Sequence, residues 1–346
     1  MSAKISIIMP SLNVGSYIKQ CIDSVTAQTL KDIEIICVDA GSSDGTLEIL
    51  NEAAASDPRI RIVHSDIKSY GYQMNLGMRE ARGDYIGIVE TDDWVESGMY
   101  DSLYAIAKDY DADIVKSDFD IFTIGDDGIK LGVTYSLHRM DRLDYGRLYS
   151  CDDYIDEKIK PECYIWNAIY KREFLIEKGI RFNESPGACF QDFSFRYQTC
   201  YQAGRIIATD SIGYHYRRGN IGASTYNPRL VEYNLREAEY VLDVFRQRDL
   251  LNHRIGRALV SEITEFAFWP YMDMLKWREA SKDTVASYAE YRKLFKNFIE
   301  KGWLRAETVN PDLWMSVNLL LDGTGTYMGY ARVMAGIEHE RINTYL

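Results

Sequence analysis

Short apolar segments of strand length alternate with helix-like patterns over the first third of the chain. The segments are rich in isoleucine and valine, and between two of them Ile18, Cys21, Ile22 and Val25 have the spacing of an amphipathic helix. This alternation predicts parallel strands joined by right-handed crossover helices, in a sheet that is covered on both faces. The predicted strands are residues 5–9, 33–38, 60–64 and 85–89.

The pattern changes along the rest of the chain. We predict a helix at about 97–109, a strand at 114–116, and a hairpin whose strands, 121–124 and 129–135, flank the polar turn 125–128. A helical stretch is predicted near 164–178. From about residue 227 onward the pattern is almost wholly helical, and no low-complexity linker marks the boundary near 225.

Composition restricts the class of protein. The formal net charge of −12 argues against a protein that wraps nucleic acid, because such a protein needs a basic face. The six cysteines have neither CxxC nor zinc-finger spacing, so the simplest interpretation is a set of reduced thiols in the cytosol. We recognise no signal peptide and no apolar run approaching the roughly 18 residues of a membrane span. We therefore expect a cytoplasmic protein.

Polar clusters follow three of the predicted strands. Ligands bind beyond the carboxyl ends of parallel strands, so these clusters are expected to form one site. Adjacent carboxylates in the third cluster would suit Mg²⁺ or Mn²⁺ and, through the metal, a diphosphate. Alternatively, Asp93 and Glu96 are simply the acidic first turn of a helix. The clusters are Pro10-Ser11-Leu12-Asn13, Asp39-Ala40-Gly41-Ser42-Ser43-Asp44-Gly45-Thr46 and Glu90-Thr91-Asp92-Asp93-Trp94.

In this order, with Gly83-Asp84-Tyr85-Ile86 before the third cluster, the clusters resemble the family 2 glycosyltransferases. The resemblance spans residues 3–95, and weaker similarity continues to about 225. It implies an inverting enzyme with the GT-A fold, an α/β fold with a mostly parallel central sheet flanked by helices, here with a mainly helical C-terminal extension. Similar downstream segments are Trp166-Asn167-Ala168-Ile169-Tyr170-Lys171-Arg172, Gln191-Asp192 and Tyr214-His215-Tyr216-Arg217.

The resemblance also implies a division of labour and a set of partners. Residues 1–110 would bind the nucleotide sugar, 111–224 the acceptor, and 225–346 would shape the acceptor site, dock on a membrane surface or form a homodimer. The expected donor is a nucleotide-diphosphate sugar, with a UDP-sugar favoured. The expected acceptor is a glycan or a lipid-linked sugar in surface polysaccharide assembly, which allows peripheral contact with the inner face of the membrane.

Donor-binding roles follow from the matching positions. Asp39 would hydrogen-bond the nucleobase, and the backbone groups of Pro10 and Ser11 would line the same pocket, to which Asn13 and Ser42 are also assigned. These assignments rest on the resemblance.

Metal and catalytic roles follow in the same way. Asp92 would contact ribose or Mn²⁺ or Mg²⁺, and Asp93 would be a metal ligand. His215 would be a third ligand or contact the leaving diphosphate, or else it belongs to a packed tyrosine–histidine cluster. Asp192 would be the general base that takes the acceptor proton, or else it caps a helix predicted at 193–201.

The chain departs from the family pattern at several positions. Ala40 replaces an aspartate, Glu90 stands where aspartate is frequent, and Gln191 replaces the glutamate before the base. Met74 replaces an arginine before Asn75, so Lys68 is the substitute that we assign to the diphosphate, with Asn75 in the donor site.

Other classes remain as alternatives. The turn after the first strand lacks the GxGxxG of a dinucleotide-binding enzyme, and the chain has no GxxxxGK[ST] of a P-loop enzyme. A sugar nucleotidyltransferase would show a glycine-rich basic signature, which is missing. A catalytically silent GT-A-like scaffold that binds sugar or nucleotide stays open because of Gln191 and Met74.

Overall fold

A computed structural model describes residues 3–124, 130–161, 164–220, 229–277 and 282–345. Side chains are described for these residues except 269–277, 282–284 and 335–345. The chain divides into two compact units, Met1–Ala223 and Ser224–Leu346.

The first unit is an α/β unit built around one ten-stranded sheet, counted over the described residues. Its strands are β1 (Ile5–Ser11), β2 (Ile33–Asp39), β3 (Ile60–His64), β4 (Tyr85–Ile88), β5 (Trp94–Val95), β6 (Ile114–Ile124), β7 (Lys130–Tyr135), β8 (Leu148–Tyr149), β9 (Ala168–Lys171) and β10 (Ile206–Arg217). Its helices are α1 (Ile18–Thr26), α2 (Thr46–Ser56), α3 (Tyr70–Glu80), α4 (Met99–Asp109), α5 (Leu137–Asp141), α6 (Cys151–Asp156), α7 (Arg172–Glu177) and α8 (Gln191–Cys200).

The strand order is β3-β2-β1-β4-β9-β6-β10-β5, with β7 paired to β6 and β8 to β10. Strands β3, β2, β1 and β4 are parallel to one another, as predicted, and β6 and β10 are also parallel. The register pairs Ser11 with Asp39, so the tips of β1 and β2 lie side by side. The sheet is mixed because β9 runs antiparallel between β4 and β6. The predicted fold class is confirmed.

Two predictions of local structure need correction. The stretch near 164–178 is wrong as a single helix, since Ala168–Lys171 forms β9 and a helix begins only at Arg172. A short apolar run has no periodicity that distinguishes a strand from a helix. Residues 168–171 form a strand because they pair with β4 on one side and with β6 on the other. The segments predicted at 114–116 and 121–124 are one continuous strand, β6, which forms the expected hairpin with β7. The turn predicted at 125–128 lies outside the described residues.

Helix faces in the first unit follow the apolar spacing of the sequence. All four residues predicted for the first helix, Ile18, Cys21, Ile22 and Val25, are buried against the sheet, and burial of such side chains contributes about 1.5–3 kcal/mol each. Helix α4 coincides with the helix predicted near 97–109. None of the helices in the described part of the chain combines the length and the apolar character that are needed to cross a membrane.

The second unit is helical, as its pattern predicts. Its helices are α9 (Leu230–Gln247), α10 (Arg254–Trp277), α11 (Lys282–Glu300), α12 (Pro311–Asp322) and α13 (Thr324–Tyr345), with a short 3-10 helix at Ala306–Thr308. A buried polar link joins three of them: Asn234 donates to the carbonyl of Phe266 at 2.7 Å and accepts from the Tyr291 hydroxyl at 2.8 Å. The link satisfies a buried amide that would otherwise destabilise the unit.

Candidate active site

Asp39, at the tip of β2, shapes the loop that follows it. Its carboxylate is fully buried and accepts from the backbone N–H groups of Gly41 at 2.8 Å and Ser42 at 3.0 Å. It also accepts from the Ser42 hydroxyl at 2.5 Å and from the Ser11 hydroxyl at 3.4 Å. Gly41 has a φ of +83°, which glycine adopts without the penalty of a side chain. The acidic tip is thus satisfied by backbone and hydroxyl donors.

The loop after β1 is tied to the same structure. The Ser42 hydroxyl accepts from the backbone N–H of Asn13 at 2.9 Å, and the Asn13 side chain accepts from the N–H of Ser43 at 2.9 Å. Asn13 has a φ of +55°, a conformation that asparagine tolerates better than most residues. The structure therefore brings Ser11, Asn13, Asp39 and Ser42 together in one hydrogen-bonded pair of loops. The Pro10 carbonyl accepts from the Thr91 hydroxyl at 2.8 Å, which links these loops to the third cluster.

Gln73 is a residue of this site that the sequence reasoning missed. Its amide is buried and donates to the carbonyls of Ser11 at 2.9 Å and Val38 at 2.7 Å. It thereby holds the ends of β1 and β2 in place from α3. The available signal was a polar residue on the apolar face of a helix, one position before Met74, which is itself fully buried in the core.

The third cluster presents a half-buried carboxyl group paired with a phenol. Glu90 accepts from the Tyr70 hydroxyl at 2.6 Å, and its second oxygen has no hydrogen-bond partner in the described part of the chain. Burial, together with the charges of Asp92 and Asp192, raises the pKa of Glu90 to about 8, although the Tyr70 hydrogen bond acts to lower it. The segment of Glu90 and Asp92 thus lies near the loop before Asp192, because Tyr70, which donates to Glu90, also donates through its backbone N–H to the carbonyl of Gly187.

Asp192 lies in the first turn of α8. The helix begins at Gln191, and Phe190 with φ +64° occupies the capping position without a side-chain cap bond. Asp192 is half-buried and accepts from the N–H of Phe193 at 2.9 Å. Burial raises its pKa above the usual aspartate range, while the charge of Arg196 lowers it. The geometry is that of a partly exposed carboxylate inside the first turn, rather than of a residue at the N-cap position.

The loop before Asp192 is fastened to the loop before α3. The Ser69 hydroxyl donates to the carbonyl of Ser185 at 2.7 Å, and the backbone N–H groups of Tyr70 and Gly187 bond across the two loops at 2.9 and 3.0 Å. Gln191, which replaces a glutamate, is buried and uses its amide inside this loop, accepting from the N–H of Cys189 at 2.6 Å. The Gln191 side chain therefore stabilises this loop through its hydrogen bonds.

Asn75 and Lys68 have partners other than the loops around Asp39. Asn75 is buried, donates to the carbonyl of Phe182 at 2.9 Å and accepts from the N–H of the same residue at 3.0 Å. It also donates to the Glu184 carboxylate at 3.0 Å, so both ends of the amide fasten α3 to the 182–184 segment. The Lys68 side chain is exposed, and its carbonyl accepts from the N–H of Gly187.

Asp93 and His215 are engaged with protein partners. Asp93 is buried and accepts from the Tyr214 hydroxyl at 2.9 Å and from the N–H of Arg217 at 2.7 Å; burial and the charge of Asp92 raise its pKa. His215 pairs with Glu96 through Nε2 at 2.7 Å and stacks on Trp94 with ring centroids 5.0 Å apart. Both side chains thus fasten β10 to the segment after β4.

Asp92 is the best placed of the three predicted metal ligands. It is half-buried, one carboxylate oxygen accepts from the Asn220 amide at 2.9 Å, and the other has no hydrogen bond from any described residue. Over the residues with described side chains, no group of three His, Cys, Asp or Glu is arranged to hold a cation. Asp92 thus keeps one carboxylate oxygen without a hydrogen bond from a described residue, whereas both oxygens of Asp93 and the Nε2 atom of His215 are engaged with protein partners.

Arg217 positions Asp92 from the side. Its guanidinium donates through Nε to the carbonyl of Asp92 at 2.9 Å and through Nη2 to the side chain of Gln20 at 2.7 Å. It also lies over the rings of Tyr17 and Trp94, 5.0 and 5.4 Å from their centroids. Arg217 therefore braces β10 against the beginning of α1.

The fold and this edge of the sheet define a sugar transferase of the GT-A type. The sequence profile of glycosyl transferase family 2 matches residues 6–178, which is half of the 346-residue chain. The chain belongs to glycosyltransferase family 2, and it is a glycosyltransferase.

Relatives and solved structures agree with this assignment. The chain is 31% identical to the uncharacterized glycosyltransferase EpsJ of Bacillus subtilis (strain 168) over 66% of each chain. It is 30% identical to the glycosyltransferase GlyG of Streptococcus pneumoniae serotype 4 over 72% of this chain and 80% of GlyG. The crystal structure of S. aureus TarS 1-349 in complex with UDP-GlcNAc superposes with a TM-score of 0.70 over 97% of this chain and 92% of that chain, at 16% identity, which is a similarity of fold.

Proposed function

We propose that the protein is an inverting glycosyltransferase that moves a sugar from a nucleotide-diphosphate donor, a UDP-sugar, to a hydroxyl of a glycan or lipid-linked acceptor. The observation that carries this proposal is the convergence of Glu90, Asp92 and Asp192 beyond the strand ends, next to the loops organised by Asp39. TarS, which has the same fold, binds UDP-GlcNAc, and this supports the choice of a UDP-sugar.

In the proposed donor site, the paired loops after β1 and β2 receive the nucleoside. Their hydrogen bonds fix the shape of the pocket before the ligand binds, so little ordering entropy is lost on binding. Asp39 is buried, and its carboxylate oxygens already accept from Gly41, Ser42 and Ser11. Its contribution is therefore to shape the pocket, together with any nucleobase contact that the same carboxylate makes.

Asp92 would hold Mn²⁺ or Mg²⁺ together with diphosphate oxygens. A divalent ion bound there supplies positive charge that stabilises the departing diphosphate. Asp93 and His215 act in a different way in this proposal: they hold β10 against the segment that carries Asp92 and so fix the position of its carboxylate.

Asp192 is the proposed general base. The acceptor oxygen forms a bond to the anomeric carbon while the bond from that carbon to the β-phosphate oxygen breaks, with inversion at carbon. The acceptor proton passes to the carboxylate of Asp192, and the nucleoside diphosphate leaves as the anion. Burial raises the pKa of Asp192, which makes its carboxylate a better proton acceptor than an exposed aspartate.

Membership of the family and the relatives EpsJ and GlyG support a role in surface glycan assembly. The chondroitin synthase of Escherichia coli, a polysaccharide-forming enzyme, is 40% identical over 92 residues, 27% of this chain. We propose a cytoplasmic location with peripheral contact at the membrane where a lipid-linked acceptor is presented, and a homodimer through the helical unit.

The test combines donor binding with turnover. Thermal melts with UDP, GDP, CDP and dTDP, each with Mn²⁺, Mg²⁺ or EDTA, should show a metal-dependent stabilisation for one nucleotide, because a ligand of the native state raises the melting temperature. Release of the nucleoside diphosphate from the matching sugar nucleotide, in the presence of an acceptor, should then fall about 10²–10⁴-fold in Asp192→Asn. Asp210→Asn, which removes an exposed carboxylate from β10, is the matched control.

Two results would contradict the proposal. A folded protein that no nucleotide stabilises does not use a nucleotide-sugar donor. Binding of a nucleotide without turnover of any sugar nucleotide by the wild type would instead favour the silent scaffold suggested by the replacements Gln191 and Met74. Both side chains are buried, and Gln191 accepts a hydrogen bond from the N–H of Cys189, so the two replacements are compatible with an enzyme.

A further inference from the structure

Arg196 is a buried arginine of α8 to which the proposed transfer assigns no role. Its side chain is only 8% exposed, although a guanidinium group stays charged over the whole working range of a protein. A buried charge destabilises a fold unless hydrogen bonds or opposite charge compensate for it. The surroundings of Arg196 therefore indicate what this residue does.

The guanidinium group of Arg196 is directed toward the beginning of α8. It lies over the ring of Phe193, 5.1 Å from the centroid, and over the ring of Tyr197, 4.6 Å from the centroid. Its Nη2 atom donates to the Tyr197 hydroxyl at 2.9 Å. Because Phe193 comes three residues before Arg196, the side chain extends back toward the preceding turn, as long side chains in helices commonly do.

Asp192 lies in that preceding turn, four residues before Arg196. Residues four apart are neighbours on the surface of a helix, with Cβ atoms about 5–6 Å apart, and an aspartate paired with an arginine at this spacing is stabilising. In the first turn, Gln191-Asp192-Phe193-Ser194, Asp192 is the only acidic residue. The positive charge of Arg196 therefore acts on one carboxylate at the beginning of α8.

We propose that Arg196 is a positioning residue that keeps the carboxylate of Asp192 ionised and so ready to take the acceptor proton, an inference whose catalytic part rests on the proposed function. An opposite charge within about 4–6 Å favours the charged form of a carboxyl group. The positive end of the helix dipole acts in the same direction, since Asp192 lies in the first turn. Burial is the larger effect and raises the pKa of Asp192, and the charge of Arg196 limits this rise.

Two other titratable groups interact with Asp192 from neighbouring segments. They are Glu90, which follows β4, and Tyr70, the first residue of α3, and the charge of Asp192 raises the pKa of each. Neither group carries positive charge in any protonation state. Arg196 supplies the positive charge that lowers the pKa of Asp192, so removal of this charge should move the titration of Asp192 to higher pH.

The first experiment follows the titration of Asp192 without substrate. Urea unfolding from pH 3 to pH 9, in EDTA, compares the wild type with Asp192→Asn, and Arg196→Gln with the corresponding double variant. Because the folded protein raises the pKa of Asp192, the stability that this carboxyl group contributes is lost as the pH rises through the folded pKa. In Arg196→Gln this loss should extend to a pH about one unit higher. Arg196→Lys, which keeps the charge, should resemble the wild type.

Tyr197→Phe is the matched control, because it removes the hydroxyl that accepts from Arg196 and keeps both charges. It should lower the melting temperature and leave the titration of Asp192 in place. Arg196→Met, whose apolar side chain suits the rings of Phe193 and Tyr197, replaces Arg196→Gln if the latter does not fold. An unchanged titration of Asp192 after loss of the arginine charge, or an equal displacement in Tyr197→Phe, would overturn the proposal.

The second experiment connects this titration to sugar transfer. It measures kcat/KM against pH for release of the nucleoside diphosphate, with the sugar nucleotide that the wild type turns over. In Arg196→Gln the acidic limb should move to higher pH by about the same amount, and Arg196→Lys should restore it. An unmoved limb, in an enzyme that requires Asp192, would refute the role of Arg196. Full turnover in Asp192→Asn would instead refute the general base, and the substrate-free titration would still decide whether Arg196 controls the ionisation of Asp192.

Discussion

Replacement of Glu90 by glutamine tests the electrostatics of the candidate site. Burial, with the charges of Asp92 and Asp192, raises the pKa of Glu90 from 4.5 to about 8. The folded protein thus binds this proton more tightly than the unfolded chain does. The stability that Glu90 contributes is therefore fully present below pH 4.5 and is lost as the pH rises through about 8. Glutamine has nearly the shape of a protonated glutamate and cannot ionise. The variant Glu90→Gln therefore does not lose stability as the pH rises.

The magnitude follows from the size of the pKa difference. A difference of about 3.5 units corresponds to roughly 5 kcal/mol, which is an upper bound. Glu90 is half-buried, and water screens part of the repulsion, so we expect about 2 kcal/mol. The free energy of unfolding of Glu90→Gln should increase by this amount relative to the wild type between pH 5 and pH 9.

Urea-induced unfolding at several pH values, in EDTA and without nucleotide, measures this difference. Glu52→Gln, which removes an exposed carboxylate from α2, controls for the change in net charge. A difference between Glu90→Gln and the wild type that stays constant across the pH range would refute the reasoning. A difference that falls with rising pH would do so as well.

Three further predictions concern the same edge of the sheet. The nucleotide-dependent rise in melting temperature should require a divalent metal and should disappear in Asp92→Asn. Asp93→Asn should instead lower the free energy of unfolding by about 1–3 kcal/mol, because it disturbs the hydrogen bonds from Tyr214 and Arg217. Equal behaviour of the two variants in thermal melts would contradict this difference in roles. The value of kcat/KM should fall as the pH drops through the pKa of Asp192, at a higher pH than for an ordinary aspartate, since burial raises that pKa; a pH–rate profile with its acidic limb near pH 4 would count against it. Asn75→Ala should cost about 1–3 kcal/mol in urea unfolding, since it leaves the buried backbone of Phe182 unpaired, while Asn318→Ala on an exposed helix face should have little effect.

Much of the first unit was readable from the sequence, because its strands and helices have clear local periods. The apolar segments before Pro10, Asp39 and Glu90 predict parallel strands, and the polar residues after them predict a common edge. The stretch that includes β9 was misread because the four residues of this strand are too few to show a decisive period, and its strand conformation depends on hydrogen bonds with β4 and β6. Gln73 was missed for a similar reason, since its two acceptors are carbonyls 35 and 62 residues away.

The sequence determines which residue types follow each strand, whereas the tertiary structure determines which partners each of these residues has. The chain specifies three carboxylates in the segment after β4, yet only the pairing with β10 buries Asp93 against Tyr214 and leaves Asp92 half-exposed. His215, which the sequence offers as a ligand, stacks on Trp94 because the register of β10 with β5 places the two side by side. Local periodicity depends on neighbours in sequence, whereas burial, pKa and coordination depend on groups that the fold brings in from distant segments.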